Sequence, residues 1–360
     1  MELAGFDQVA YYGRGPWSNY VDRMTGSYLG RYTTTVDEMI DENVHPQTFG
    51  DHQDLRDLIL DLQDNGGGYL QSAVRIVEEF LQKGDLVVYT EGRAQKRQEY
   101  KAGGGGRLLK GKVYVLINEY SASAAEIVTG AIQDQDRGTV VGRRSFGKGL
   151  VQRPIEFDDG SMIRLTIAHY YTPSGRCIQK PYAKGEKEDY AQDIEKRFKH
   201  GELYSADSIH FNDSLRCYTL RKHRTVYGGG GIMPDVFVPL DTTQYTAFHR
   251  QLVARSLVIN ATLRYVENHR EELKAKYTKF DDYMKHFEVP QAMVDSLFAE
   301  AERQKVKPRD DEERNNTLPM LRVQLKALIA RDIWDMNEYF RLMNEHNHTV
   351  SKAVELISGK

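Results

Sequence analysis

Residues 58–68 read LILDLQDNGGG: a short apolar run that stops at once on Asp64, Asn65 and three glycines. Six residues rich in Leu and Ile, closed by turn formers, predict a buried strand ending in a tight turn. Just downstream, Leu70, Ala73, Val74, Val77, Phe80 and Leu81 recur at helical spacing until Gly84-Asp85 stops them. LVVYT (86–90) and VYVLIN (113–118) predict the next strands. SASAAEIVTGAIQD (121–134) predicts a second helix, with Ala124, Ile127, Val128, Ala131 and Ile132 as its apolar stripe. TVVG (139–142), VQRPI (151–155) and MIRLTIAHYY (162–171) predict further strands. This alternation implies an α/β fold with a mainly parallel sheet and flanking helices.

On the N-terminal side, residues 1–56 read as a short β fragment. GRGPWSNY (13–20) is turn-rich, SYLGRYTTTV (27–36) is aromatic and β-branched, and Trp17, Tyr11, Tyr12, Tyr20 and Tyr28 could furnish half of a β-sandwich core. On the other side, 180–240 is polar and irregular, with glycines at 228–231 ahead of Met233-Pro234-Asp235. From about Gln244 long amphipathic stretches predict a helical C-terminal region, broken near Pro290, Pro308 and Pro319. Three pieces follow: 1–56, 57–243 and 244–360. The glycine run 103–106 reads as a loop or hairpin between strands.

The bulk properties exclude several classes of function. Among 360 residues, Lys+Arg number 49 against Asp+Glu 52, a net charge of −3, which leaves no footprint for nucleic acid or an anionic membrane. Cys177 and Cys217 are the only cysteines, too few for a cysteine zinc site or a disulfide scaffold. The eleven histidines form no HExxH pair, so no metal site is expected. No apolar run is long enough to span a membrane, and MELAGFDQVAYYGRG is no signal peptide, so the chain as given reads as soluble and cytoplasmic.

Two short phrases could carry chemistry. Gly142-Arg143-Arg144-Ser145-Phe146-Gly147-Lys148 matches the start of a phosphate-binding loop. Gly149 stands where the magnesium-holding hydroxyl belongs, and LVQRPI beyond it reads as strand rather than helix. Ser121-Ala122-Ser123-Ala124-Ala125-Glu126 lies between a strand and the first turn of a helix. Its plain reading is a helix cap on Ser121 or Ser123, with Glu126 closing a capping box on Ser123. Its sharper reading places a nucleophile where free N–H groups favour a developing anion. Lys148, between two glycines and beside Phe146, fits a desolvated lysine able to act as base, and a Ser–Lys pair needs no histidine.

From about residue 57 onward these phrases, with NEYSASAAEIVTGAIQDQDRGTVVG, RRSFGKGLVQ and YYTPSGRCIQKPY, resemble the C-terminal processing (tail-specific) serine peptidases of family S41. The resemblance implies a crotonase/ClpP-like peptidase core without cofactors. It implies Ser123 as nucleophile, Lys148 as general base 25 residues later (148 − 123), and Gln152 as the group that orients the amine. Ala125 departs from the pattern, since many members carry a third serine there. The oxyanion would sit against the backbone N–H of Ala124 and one from Gly67 or Gly68. Substrates by resemblance are unfolded polypeptides or C-terminal tails in a bacterial periplasm or cell envelope.

A second resemblance covers residues 6–56. VAYYGRGPWSNYVDRMTGSYLGRYTTTVDE and HPQTFGDHQDLR are similar to a β-sandwich domain of the large β-galactosidases, whose catalytic carboxylates lie in another domain. The chain therefore reads as chimeric near Leu55–Asp57, and the family's PDZ domain and some core strands are expected to be missing, which counts against full activity. TGSYLGRYTTTVDE also resembles, faintly, the strand that precedes LILDLQ in the peptidases. The rival functions are an inactive interaction protein that keeps the dyad, and a carbohydrate-binding fragment carried by the N-terminal stretch.

Overall fold

A computed structural model describes residues 9–12, 57–93, 95–106, 108–181, 192–241, 243 and 245–359. Trp17, Tyr20 and Tyr28, and the proposed splice near Leu55, lie outside the described residues. The chain divides into two compact units, an α/β unit up to Pro239 that also holds Lys352 onward, and a helical unit, Leu240–Ser351.

In the α/β unit, strands β1 (Val9–Tyr12), β2 (Asp57–Asp61), β5 (Lys112–Ile117), β6 (Thr139–Gly142) and β11 (Val236–Phe237) form one sheet in the order β1-β2-β5-β6-β11. Every pairing in it is parallel. β5 is the centre: Val115, Leu116 and Ile117 are fully buried, as a strand covered on both faces requires. Helix α1 (Leu70–Glu78) supplies Ala73, Val74 and Val77 to the core. Helix α2 (Ala124–Asp134) is buried along all eleven residues, more than its sequence stripe implies, because polar Thr129, Gln133 and Asp134 find partners inside.

The expectation of one mainly parallel sheet is corrected by a second sheet. β3 (Leu86–Gly92), β4 (Gln95–Lys101), β7 (Leu150–Glu156) and β8 (Met162–Tyr171) run in the order β4-β3-β8-β7, antiparallel throughout. The connections explain it. Five residues separate β7 from β8 and two separate β3 from β4, whereas a parallel crossover takes a dozen or more. The charged β4, QKRQEYK, carries no apolar pattern and was not legible as a strand. The glycine run 103–106 lies beyond it as a loop. The polar stretch after residue 191 contains helix α3 (Asp193–Lys199) and the small hairpin β9 (Arg216–Tyr218) and β10 (Thr225–Tyr227).

Two arginines tie this unit together. Arg137 donates to the carbonyls of Phe80, Leu108, Lys110 and Gly111 at 2.6–3.1 Å, closing the end of the parallel sheet. Arg176, 2% exposed, donates to Asp134 Oδ1 and Gln133 Oε1, both at 2.7 Å, while Asp134 Oδ2 accepts the Ser174 N–H at 2.9 Å. That pair fastens the loop after β8 to the end of α2.

The helical unit holds α4 (Ala247–Ala254), α5 (Leu257–Lys276), α6 (Phe280–His286), α7 (Gln291–Arg303), α8 (Asp311–Ile333) and α9 (Met336–Asn344). Pro290 caps α7 and Pro308 sits in the loop before α8, as expected. Pro319 is a correction, because α8 runs through it. An interior proline costs about 3 kcal/mol. The burial of Leu321, Leu325, Ile329 and Ala330 on the same helix outweighs that.

Replacing Arg176 with Met should destabilise the α/β unit by about 3–5 kcal/mol, since it leaves the Asp134 carboxylate buried without its countercharge. Urea unfolding followed by near-UV circular dichroism measures it. Adding Asp134→Leu should restore part of the loss.

Candidate active site

The turn after β2 and the turn after β5 are stitched to each other atom by atom. Asp64 N–H donates to Asn118 Oδ1 at 2.9 Å and Asn118 Nδ2 donates back to Asp64 Oδ1 at 2.7 Å. Ala122 N–H donates to the Asn65 carbonyl at 2.8 Å. Ser121, fully buried, donates its hydroxyl to the Leu62 carbonyl at 2.6 Å and accepts the Asn118 N–H at 2.9 Å. Both functions of that hydroxyl are therefore used in bracing the two turns. Ser123 is half-buried instead, and it is the N-cap of α2.

Ser123 has φ +58° and ψ −116°, a conformation that L residues with a side chain rarely adopt. Such strain gathers at functional sites. Gly67 is pressed against it: at φ +92°, a Cβ on Gly67 would fall 2.5 Å from the Ala122 carbonyl, 2.6 Å from Ala124 N and 2.8 Å from Ser123 Cβ. Only glycine fits there. The Gly67 N–H is already given to Asn65 Oδ1 at 2.8 Å. The N–H groups of Gly68 and Ala124 donate to no hydrogen bond among the described residues.

Glu126, the third residue of α2, joins this turn to the one that carries Lys148. Its carboxyl is completely buried. Oε2 accepts Ser123 N–H at 2.9 Å and Lys148 N–H at 2.8 Å. Oε1 accepts Gly147 N–H at 2.7 Å and the Ser145 hydroxyl in a very short bond. The backbone nitrogens of Ser123 and Lys148 thus share one oxygen. The half of the capping box that runs from the Ser123 N–H to Glu126 is present, and the same carboxyl does more than cap a helix. Burial pushes its pKa up, and the four donors offset only part of that.

Every peptide N–H of the turn 145–149 is engaged. Ser145 donates to the Ile232 carbonyl at 3.0 Å, Phe146 to the Ser121 carbonyl at 2.9 Å, and Gly149 to Gln179 Oε1 at 2.8 Å. β7 follows directly, so the loop has neither the free amides nor the helix that a phosphate would need. The glycine run 228–231 closes the turn from the other side. Gly231, at φ +85°, lies against Ser145, where a Cβ would meet the carbonyl at 2.5 Å, and Ile232 N–H donates to Ser145 Oγ at 2.6 Å. Ser145 and Gly231 were missed from sequence. The only signal was the run of glycines itself.

Among the expected residues, Gly67 lies against Ser123 and Ala124, Gly68 is the exposed residue next to it, and Lys148 is half-buried on the adjoining turn. Gln152 is exposed on β7 opposite Thr166, beside a register irregularity at Val151. Among the described residues no group of His, Cys, Asp or Glu is placed to hold a metal ion.

Glu126→Gln puts an amide NH₂ where two donors now point, leaving buried N–H groups unpaired at about 1–3 kcal/mol each. The variant should lose stability and any activity together. Because the folded pKa of Glu126 is raised, the folded state holds its proton longer than the unfolded chain. Stability from this group is full below the ordinary value of 4.5 and is lost as pH rises through the folded value. Thermal midpoints against pH should show that falling slope in the parent and not in Glu126→Gln.

Comparison with known proteins finds similarity over part of this chain. Residues 30–191 match the model of peptidase family S41, and 248–335 match a family of unknown function, DUF8443. The carboxy-terminal-processing protease of Bartonella bacilliformis is 46% identical over 126 residues, which is 35% of this chain and 29% of that protein. Carboxy-terminal processing protease CtpA of Bacillus subtilis is 36% identical over 152 residues, 40% of this chain and 32% of its own length. The chain thus spans about three tenths of the curated relatives it matches. A solved photosystem II D1 C-terminal processing protease aligns at 24% identity and TM-score 0.40, over 57% of this chain and 40% of that one. The peptidase match begins at residue 30, inside the stretch 6–56 for which a galactosidase-like fragment is expected. Over residues 30–191 this chain is similar to peptidase family S41.

Proposed function

We propose that the α/β unit is a serine endopeptidase core working through a Ser123–Lys148 dyad. The observation that carries this reading is the shared Glu126 carboxylate, which brings the strained Ser123 and the Lys148 turn onto a single oxygen. The two buried bonds of the Ser121 hydroxyl favour Ser123 over it as nucleophile.

The neutral Lys148 amine takes the proton of Ser123 Oγ as that oxygen bonds to the scissile carbonyl carbon. The carbonyl π electrons move to oxygen, and the oxyanion is met by the N–H of Ala124, at the positive end of α2, and by that of Gly68. Gly67 shapes this hole by yielding space, since its own N–H belongs to Asn65. As the tetrahedral adduct collapses, the Lys148 ammonium passes its proton to the departing amine. Water then attacks the acyl-serine with the same lysine as base, releasing the acid and restoring Ser123. Gln152, on the strand that leaves the turn, orients the amine. No cofactor enters these steps. The substrate class is polypeptide, unfolded or presented as a C-terminal tail, in a cell envelope.

Fluorophosphonate labelling followed by peptide mapping tests the reading, and the adduct should fall on Ser123. Ser123→Ala and Lys148→Ala should each abolish hydrolysis of an unfolded protein substrate, and the double variant should lose little more. Lys148→Arg should be inactive because guanidinium stays protonated and cannot act as a base. Activity in Ser123→Ala with loss in Ser121→Ala would overturn the assignment.

A further inference from the structure

The amides of the Lys148 turn are held by Glu126 and its neighbours, and its carbonyls are held by a different group. Arg197, on α3 and 3% exposed, donates Nη1 to the Ser145 carbonyl at 2.7 Å and Nη2 to the Phe146 carbonyl at 3.2 Å. The next carbonyl, of Gly147, accepts the Lys180 N–H at 3.0 Å. Lys180, 4% exposed, lays its ammonium 3.9 Å from the centre of the Phe146 ring. Asp193 then joins the two cations, 2.9 Å from Arg197 Nε and 3.1 Å from Lys180 Nζ. Three consecutive carbonyls ahead of Lys148 are thus fixed by one ion-paired group.

We propose that Arg197, aligned by Asp193 and working together with Lys180, is a positioning residue that sets the place of Lys148 and so the rate of proton transfer. The proposal rests on the dyad reading above. The guanidinium suits the task because its planar fork spans two adjacent carbonyls, which a lysine ammonium cannot do with fixed geometry. Burying a cation costs several kcal/mol unless it is paired, and Asp193 supplies the pairing. Stability alone does not call for such a device, since an apolar side chain would fill the space more cheaply. Arg197 and Asp193 also lie beyond residue 191, where the match to the peptidase family ends, so this part of the site comes from outside the matched segment.

The test uses the full chain with Arg197→Met, Arg197→Lys and the milder Asp193→Asn. Displacing a catalytic group by an ångström can cost about a hundredfold, so kcat of Arg197→Met on an unfolded protein substrate should fall by about that factor with KM within about twofold. Arg197→Lys, which keeps one donor, and Asp193→Asn should fall between. The pH midpoint of kcat should move in Arg197→Met. Amide hydrogen exchange, read without any substrate, should accelerate at Gly147, Lys148 and Gly149 in that variant. A parent-like kcat and pH midpoint, or a kcat loss that only tracks the unfolded fraction, would overturn the proposal. So would unchanged exchange across 145–149. Faster exchange in a protein whose parent neither hydrolyses peptides nor labels at Ser123 would instead refute the dyad reading and leave the anchoring of the turn by Arg197 established.

Discussion

A carboxyl group with no exposed surface holds this site in register. Glu126 accepts four hydrogen bonds from two turns, 123 on one side and 145, 147 and 148 on the other. Hydrogen bonds to a charged group contribute about 1.5–3 kcal/mol each, and burying a carboxylate costs several. These terms nearly cancel, so Glu126 adds little to net stability. Its effect is geometric. Any shift of one turn against the other breaks bonds that no water can replace, and the penalty for an unpaired buried donor is steep. The positions of Ser123 and Lys148 are therefore as fixed as the core of the sheet behind them.

Much of this arrangement was legible from sequence, for identifiable reasons. β2, β5, α1 and α2 are built on apolar periodicity, and local spacing reports that directly. The two phrases that carry Ser123 and Lys148 stood out because small residues and glycines interrupt strongly apolar runs. What sequence did not convey is non-local. That β3, β4, β7 and β8 form a second, antiparallel sheet depends on pairing across about 80 residues, although the short connection from β7 to β8 held the clue. β4 is polar on both faces and β11 is two residues long, so neither leaves a pattern. Arg197 and Gly231 are silent in sequence because an arginine or a glycine in a polar stretch has no fixed meaning until its partner is known.

The two serines of the SAS phrase show how packing decides between chemically equal candidates. Both precede the same helix, and a capping argument permits either. The structure spends the Ser121 hydroxyl on Leu62 and Asn118, inside the core, and leaves Ser123 at the surface of the helix end. Two residues of separation place one side chain in the brace and leave the other half-buried at the start of α2. Ala125 makes the same point from the opposite direction: it is buried, 3% exposed, and an added hydroxyl there would need a partner of its own.

Strain and glycine then shape the backbone around Ser123. A serine at φ +58° carries about 1–3 kcal/mol of backbone strain, and it persists only where its surroundings leave no alternative. Here the Ser123 N–H is held by Glu126, and the facing surface is the bare backbone of Gly67. That close approach leaves no side chain of Gly67 over Ser123. It also separates two roles that the glycine triplet seemed to offer interchangeably. Gly67 is fixed by Asn65 and supplies clearance, while Gly68, one residue further on and exposed, keeps an N–H to give. On the reading proposed above, Gly68 rather than Gly67 would be the oxyanion donor of the pair, because the Gly67 N–H is spent on Asn65.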